Sequence, residues 1–183
     1  MNKKPVKLEE SVRLINHGPC VLVSVGDSDA DNLFTVAWNM PVRKNPPHIA
    51  IESSMSHHSF SFIEKNRELC INVPAANIAD KVLAAGKISG ADVDDKFAEV
   101  GLSREPSVVV KAPRVAEAVG HLECRVSKIM EFGSSAMIIA EVVAAAADET
   151  LFENGTWQPD RGDGMLHHLG GNAFSVSTIK KIL

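Results

Sequence analysis

A short polar segment of the chain, residues 53–59, concentrates hydroxyl and imidazole side chains just before a helical pattern. It contains four serines and two histidines: Ser53, Ser54, Ser56, His57, His58 and Ser59. The free backbone N–H groups and the dipole at a helix start favour an anion. Further along, Lys96 follows the flexible pair Ser89-Gly90, and a lysine is a common point charge for phosphate. These residues predict a phosphate site. The alternative is that the hydroxyls cap the helix and Lys96 pairs with its acidic neighbours.

The histidines also raise the question of a metal site. They form two adjacent pairs, His57-His58 and His167-His168. Adjacent side chains point to opposite faces of a strand and diverge by about 100° on a helix. No carboxylate completes an HExxH pattern, so the sequence predicts no metal site. GxSxG, GxGxxG and GxxxxGK[ST] motifs do not occur either.

Three cysteines, Cys20, Cys70 and Cys124, lie far apart within apolar runs. Their number and spacing suit neither a disulfide framework nor a zinc site. We interpret them as buried, reduced thiols, and predict a cytoplasmic location.

Composition limits the class of protein. The chain has 183 residues, 45% of them hydrophobic, which suits one globular domain over residues 1–183. Its 19 basic and 23 acidic residues predict no nucleic-acid partner. No apolar run approaches the roughly 18–20 residues of a membrane span, so we expect no membrane partner.

The elements that must position these residues are mainly strands. Strand-like runs are predicted at 20–25, 32–40, 48–52, 69–73, 121–130 and 136–147. Short helices are predicted at 57–68, 77–85 and 94–100, with Ser56 as the first N-cap. Residues 167–177 are expected to close the sheet. Because strands and helices do not alternate, the pattern favours an antiparallel barrel with helices packed outside.

Several motifs along the chain carry a resemblance to a known family. In order they are 19–24, 32–41, 45–51, 56–59, 72–74, 86–90, 95–97, 123–124, 141–142 and 168–171. This series resembles the flavin reductase-like family with the FMN-binding split barrel, in its flavoredoxin branch. The resemblance covers roughly residues 10–175. It implies a mainly β fold with peripheral helices, an antiparallel split barrel of Greek-key type.

The resemblance also implies site residues for FMN. The strand and loop beside the isoalloxazine ring correspond to Thr35, Val36, Ala37, Trp38, Asn39 and Met40. Contacts to phosphate and ribityl correspond to Ser53, Ser54, Ser56, Ser59, Ser89, Gly90 and Lys96. His168 corresponds to a histidine near the flavin and is the candidate for a catalytic role. Phe174 stands where the family commonly has a tyrosine, so a phenolic hydrogen bond is lost.

For function, the resemblance implies an oxidoreductase that accepts hydride from NADH or NADPH and passes electrons to an unidentified flavin or protein acceptor. We expect the glycine-rich loop 158–168 to border the nicotinamide slot. The alternative is a non-catalytic FMN electron carrier of flavoredoxin type, without nicotinamide activity. Relatives of this fold place the flavin between subunits, so a homodimer is expected.

Overall fold

Antiparallel strands form the framework of this computed structural model, which describes residues 1 and 3–181. Positions 2, 182 and 183 of the predicted domain lie outside the described residues. The strands are β1 Val21–Gly26, β2 Asp31–Val36, β3 Asn39–Lys44, β4 Pro47–Ser54, β5 Glu68–Val73, β6 Arg104–Glu105, β7 Arg114–Val115, β8 Gly120–Phe132, β9 Ser135–Ala147, β10 Phe152–Glu153, β11 Thr156–Trp157, β12 Met165–Gly170 and β13 Ala173–Ser177. The helices are α1 His58–Asn66, α2 Ala79–Lys87 and α3 Lys96–Glu99, with 3-10 turns at Leu8–Leu14, Ala76–Ile78 and Pro159–Arg161.

Seven strands make one sheet in the order β2-β1-β5-β8-β9-β4-β3, and every neighbouring pair is antiparallel. The two edge strands are joined by Ala37 and Trp38. The Glu52 N–H donates to the Trp38 carbonyl at 3.0 Å, which extends the β3–β4 ladder to this corner. The edge strand β2 also contacts β4, so the sheet curls until its edges approach here. The mainly β, antiparallel prediction is therefore confirmed, and the incomplete closure leaves an opening beside Trp38.

Both faces of the sheet are covered, which explains why β1 is buried along its whole length. Val21, Val23 and Val25 face an interior that α1 enters with Phe60 and Ile63. On the opposite face, Leu22 packs in a second cluster with Val82 of α2 and Phe97 of α3. The strand therefore reads as a continuous apolar run, because a strand buried on both faces has no solvent side.

The single strand predicted over 32–40 is wrong, because the chain turns at Ala37-Trp38 and forms β2 and β3 instead. The Asn39 amide nitrogen holds the turn by donating to the Pro19 carbonyl at 2.9 Å and to the Val36 carbonyl at 3.4 Å. Pro41, expected to stop the strand, lies inside β3. It is tolerated there because β3 is an edge strand and its register shifts at this point.

The expected closing strand at 167–177 is also wrong. β12 and β13 pair with each other as a separate two-stranded ribbon, folded back at Gly170-Gly171, where φ is positive at both residues. Isolated bridges from Pro19 to His167 and from Ala75 to Met165 fasten the ribbon to the rest of the domain. None of the described helices is long and apolar enough to span a membrane.

Candidate functional site

A groove runs between β2, the start of α1 and the segment that joins α2 to α3. It consists of two adjoining cavities of about 160 and 230 Å³, which share Phe34, Thr35 and His57. The smaller cavity is completed by Val36, Ala37, Trp38, Glu52 and Ser53, and the larger by residues that include Ser56, Ser59, Gly86, Ser89, Gly90 and Lys96. The fold therefore collects residues from five separate stretches of sequence in one groove.

Two lysines line the larger cavity, and Lys96 is buried whereas Lys87 is exposed. The Lys96 side chain is only 6% exposed, and it makes no hydrogen bond or ion pair with any described residue. Burial alone lowers the pKa of its ammonium group to about 8. Most of the side chain is buried and its ammonium has no protein partner, so an anion that enters this cavity meets an unpaired cation.

The start of α1 supplies backbone donors to the same cavity. His57 occupies the N-cap position without a side-chain cap bond, so the prediction of Ser56 as the cap is wrong. The Ser56 hydroxyl instead lies 2.9 Å from the Ser54 hydroxyl. The first N–H groups of the helix, on His58 and Ser59, have no acceptor among the described residues, as expected at an uncapped helix end. They add a second anion-binding element to Lys96.

Close packing fixes the opposite wall of the larger cavity. Gly90 lies against Asn32 so tightly that a Cβ on it would be 2.4 Å from the Asn32 Oδ1 atom. The Thr35 hydroxyl donates to the Val82 carbonyl at 2.5 Å, and Gly86 also packs on Thr35. These contacts tie α2 and the following loop to β2, and glycine is required at position 90 for that approach.

The smaller cavity ends at Trp38, whose ring is 49% exposed. With its amide oriented to satisfy both contacts, Asn16 accepts from the Trp38 indole N–H at 2.7 Å and donates to the Ala37 carbonyl at 3.1 Å. The N-terminal segment thus holds this corner of the groove. An aromatic ring and backbone polar groups at one end, with a cation at the other, suit a ligand with a ring system and an anionic group.

A third cavity, of about 560 Å³, opens on the far side of Trp38. Trp38 and Glu52 line both this cavity and the smaller part of the groove. Its other walls are mainly apolar: Val12, Ile15, Met40, Ala50, Ile51, Phe132, Ala136 and Met137, with Asn16, Asn39 and Ser135. A second molecule can therefore approach the ring end of the groove from an apolar space.

Ten of the fourteen residues predicted for the cofactor line the groove: Thr35, Val36, Ala37, Trp38, Ser53, Ser56, Ser59, Ser89, Gly90 and Lys96. Asn39 and Met40 line the apolar cavity instead. Ser54 lines neither cavity, and its hydroxyl lies 2.9 Å from the Ser56 hydroxyl and donates to the Ser134 carbonyl at 3.4 Å.

His168 lies on the β12–β13 ribbon and lines neither the groove nor the apolar cavity. Its Nε2 atom is 3.0 Å from the Gly171 carbonyl, and its Nδ1 atom is buried without a partner. Its ring packs 5.3 Å from that of Phe174. No residue of the loop 158–168 lines these three cavities, and its place beside a nicotinamide slot stays a prediction.

Nine residues that line the groove were not predicted as cofactor contacts: Asn32, Phe34, Glu52, His57, His58, Ala85, Gly86, Lys87 and Ile88. His57 belongs to the polar segment that raised the metal question. Its neighbours in the helix start were the signal that could have identified it. Among the described residues, no three histidine, cysteine or acidic side chains are grouped so as to hold a metal ion.

Comparison with known proteins gives this geometry a context. The family model described as "Flavin reductase like domain" matches residues 12–170. The uncharacterized protein YddH of Escherichia coli (strain K12) is 35% identical over 181 residues, which covers 94% of each chain. A protein of Pyrococcus abyssi, PYRAB12460, is 26% identical and covers 90% of this chain and 93% of its own.

Solved structures agree on the fold. An FMN-binding domain of a flavin reductases-like enzyme from Shewanella baltica has a TM-score of 0.82 and 27% identity, covering 97% of this chain and 95% of its own. Flavoredoxin from Methanosarcina acetivorans has a TM-score of 0.80 and 23% identity, covering 90% and 87%. The likeness to the flavoredoxin concerns the architecture alone.

Proposed function

Because the chain belongs to the family of flavin reductase-like domains, we propose that it is an FMN-binding oxidoreductase that accepts hydride from NADH or NADPH. The electrons then pass to a flavin or protein acceptor. The fold is the split barrel of this family. FMN, when bound, supplies the redox chemistry, and the protein supplies position and electrostatics.

The observation that carries the proposal is the buried, unpartnered Lys96 beside the uncapped start of α1. FMN differs from riboflavin by a phosphate, and this end of the groove offers a cation and free N–H groups. Ser56, Ser59 and Ser89 add hydroxyls at the same cavity. The residues present therefore fit a phosphorylated flavin.

The ring end of the groove orients the cofactor. Backbone groups of Val36 and Ala37, with the ring of Trp38, form its wall. Ser53 is 3% exposed and lines the same cavity, where its hydroxyl can serve polar atoms of the ligand. No side chain here is required as an obligate acid or base. His168 stays a catalytic candidate only through the expected dimer, because within one chain it lines neither cavity.

The apolar cavity beyond Trp38 supports the nicotinamide part of the proposal. It gives a second planar molecule access to the ring end without passing the phosphate end. Its mainly apolar walls suit a flat nicotinamide ring.

Anaerobic mixing of the FMN-loaded protein with NADH and, separately, NADPH tests the proposal. The flavin absorbance at its visible maximum is followed against free FMN under the same conditions. Bleaching faster than free FMN is the expected result. If neither nucleotide accelerates bleaching while a reduced protein partner does, the chain is an electron carrier of flavoredoxin type, and the nicotinamide part is wrong.

We further expect a homodimer. Exposed apolar side chains, Met40, Val42 and Phe132, lie on β3 and at the end of β8, around the apolar cavity. A second copy would cover this surface and form part of the wall of the apolar cavity, so the nicotinamide would enter between the two subunits. Light scattering at micromolar concentration measures the mass, and a monomer would contradict the expectation. A cytoplasmic location and the absence of a nucleic-acid partner stay predictions from composition.

A further inference from the structure

Arg104 makes side-chain contacts with three residues, and none of the three lines the groove. Its guanidinium donates to both oxygens of Asp31, at 2.6 and 2.8 Å. It also donates to both oxygens of Asp95, at 3.1 and 2.8 Å. Its central carbon lies 4.4 Å from the centre of the Phe97 ring, a cation–π contact. Two bidentate pairs and a ring contact hold one side chain.

Two of these three partners are the sequence neighbours of Lys96. Asp95 precedes it and Phe97 follows it in the chain. Asp95 Oδ1 also accepts the Ala98 N–H at 3.1 Å, so the carboxylate caps α3, the short helix that begins at Lys96. Phe97 is fully buried. Arg104 therefore contacts both residues that flank Lys96 in the sequence, Asp95 and Phe97.

The third partner, Asp31, begins β2 and is joined to the groove. The next residue, Asn32, packs against Gly90 and lines the larger cavity. Through Asp31 and Asp95, Arg104 links the strand on one wall of this cavity to the helix that carries its cation. Lys96 makes no side-chain hydrogen bond or ion pair with a described residue, so the packing around its buried stem and this backbone link set its position.

The same side chain pairs with both carboxylates, Asp31 and Asp95. Hydrogen bonding to Arg104 is the main reason that the pKa of Asp95 lies below its ordinary value. A carboxylate engaged in this way is not available to the Lys96 ammonium. An isolated surface ion pair contributes little, but a bidentate network with fixed geometry is the exception.

We infer that Arg104 is a positioning residue for the phosphate end of the groove, holding Lys96 in place for a phosphate that Arg104 does not itself touch. This inference rests on the proposed function, since the phosphate is that of FMN. A lysine at position 104 cannot make two bidentate pairs and lie flat on a ring, so the requirement is for arginine.

The test compares binding of FMN and riboflavin to the ligand-free protein by titration, with Arg104→Gln and Arg104→Lys as variants. We expect Arg104→Gln to weaken FMN about tenfold and riboflavin less than twofold, with Arg104→Lys between it and the wild type. A general loss of structure would weaken both flavins. Arg161→Gln is the matched control, because Arg161 pairs at 2.8 Å with Glu153 away from the groove and should change neither affinity.

A double-mutant cycle shows whether Arg104 acts through Lys96. In the Lys96→Ala background, Arg104→Gln is expected to cause no further loss of FMN affinity beyond about twofold. A further tenfold loss in that background overturns the inference, as does an unchanged ratio of FMN to riboflavin affinity in Arg104→Gln. If Arg104→Gln does not fold, the ratio of FMN to riboflavin affinity and the cycle with Lys96→Ala are measured with Arg104→Lys instead. If the wild type fails to bind FMN at all, the proposed function fails, which is a separate result.

Discussion

Asp95 and Lys96 are neighbours in the chain, and Asp95 directs its carboxylate to Arg104 at 2.8 Å while the Lys96 ammonium has no carboxylate partner among the described residues. Burying a cation without a partner costs free energy that most proteins avoid. Here the cost falls on a residue that lines the groove. A ligand anion supplies the partner, so the electrostatics of the empty site favour binding.

Lys96→Ala is expected to separate the two flavins. A hydrogen bond to a charged group contributes roughly 1.5–3 kcal/mol, which corresponds to about ten- to hundredfold in affinity. FMN should lose this much, while riboflavin, which has no phosphate, should change less than about threefold. Titration of the ligand-free protein measures both. Lys44→Ala, an exposed position on β3, is the control, and equal losses for both flavins in Lys96→Ala would contradict the phosphate assignment.

The affinity for FMN should fall as pH rises above about 8, because burial lowers the pKa of Lys96 to about 8 in the ligand-free protein. The phosphate is already dianionic above about pH 6, so its charge is constant in this window. Below pH 8 the lysine is charged and binds; above it, binding must first supply a proton. Titrations between pH 7 and 9.5 test this. Riboflavin provides the flat reference, and an FMN affinity as flat as that of riboflavin would show that Lys96 does not titrate at the site.

Lys96→Met should stabilise the ligand-free protein at pH 7. Between about pH 8 and 10.5 the unfolded chain holds the lysine proton and the folded chain does not, so the free energy of unfolding of the wild type rises with pH in this window. Below it, the folded state carries the full cost of the buried charge. Removing the charge should add about 1–3 kcal/mol, since one pKa unit corresponds to about 1.4 kcal/mol. Denaturant unfolding of both proteins measures the difference. A less stable Lys96→Met protein would show that the ammonium is satisfied.

The serine-rich helix start and Lys96 were proposed from the sequence as a phosphate site, and the structure brings them to one cavity. The residue types alone did not decide between that site and a plain helix cap beside a solvated lysine. The sequence left open whether Lys96 pairs with its acidic neighbours. The structure answers this question for Asp95. Its carboxylate pairs with Arg104, which lies eight residues after Lys96 in the sequence. That competition depends on tertiary packing, and no local pattern contains it.

Topology was harder to predict where the same apolar pattern suits either one long strand or two strands joined by a turn. The run 32–40 is apolar enough for one strand, and only the Asn39 bonds to Pro19 and Val36 reveal the turn that makes β2 and β3. His168 was assigned from the resemblance, and the ribbon that carries it lies away from the groove.

The three thiols should be inert in the native protein. Cys20, Cys70 and Cys124 are each no more than 2% exposed. Burial raises the pKa of Cys20 and of Cys70 to about 12 and also raises that of Cys124, so thiolate is scarce at neutral pH. Iodoacetamide at pH 8 should label fewer than one thiol in the native protein and all three in denaturant, counted by mass spectrometry. Rapid native labelling of any one of them would reopen a thiol role in turnover.

Trp38→Ala should produce the opposite pattern to Lys96→Ala. The indole stands between the ring end of the groove and the apolar cavity, and Asn16 fixes it through the indole N–H at 2.7 Å. Both flavins have the same ring system, so losing an aromatic contact should weaken them by the same factor, about three- to tenfold. Trp157→Phe is the control, because Trp157 lies on β11 and lines neither cavity.

Combining the two substitutions makes this prediction sharper. Trp38 and Lys96 lie in different cavities of the groove and share no partner, so their effects on FMN should add in the double variant. For riboflavin, the double variant should match Trp38→Ala alone. Titration of FMN and riboflavin against the wild type, the two single variants and the double variant gives all the affinities that this comparison needs. A Trp38→Ala protein that loses FMN but not riboflavin would mean that Trp38 acts on the phosphate end, and the assignment of ring and phosphate to opposite ends of the groove would be wrong.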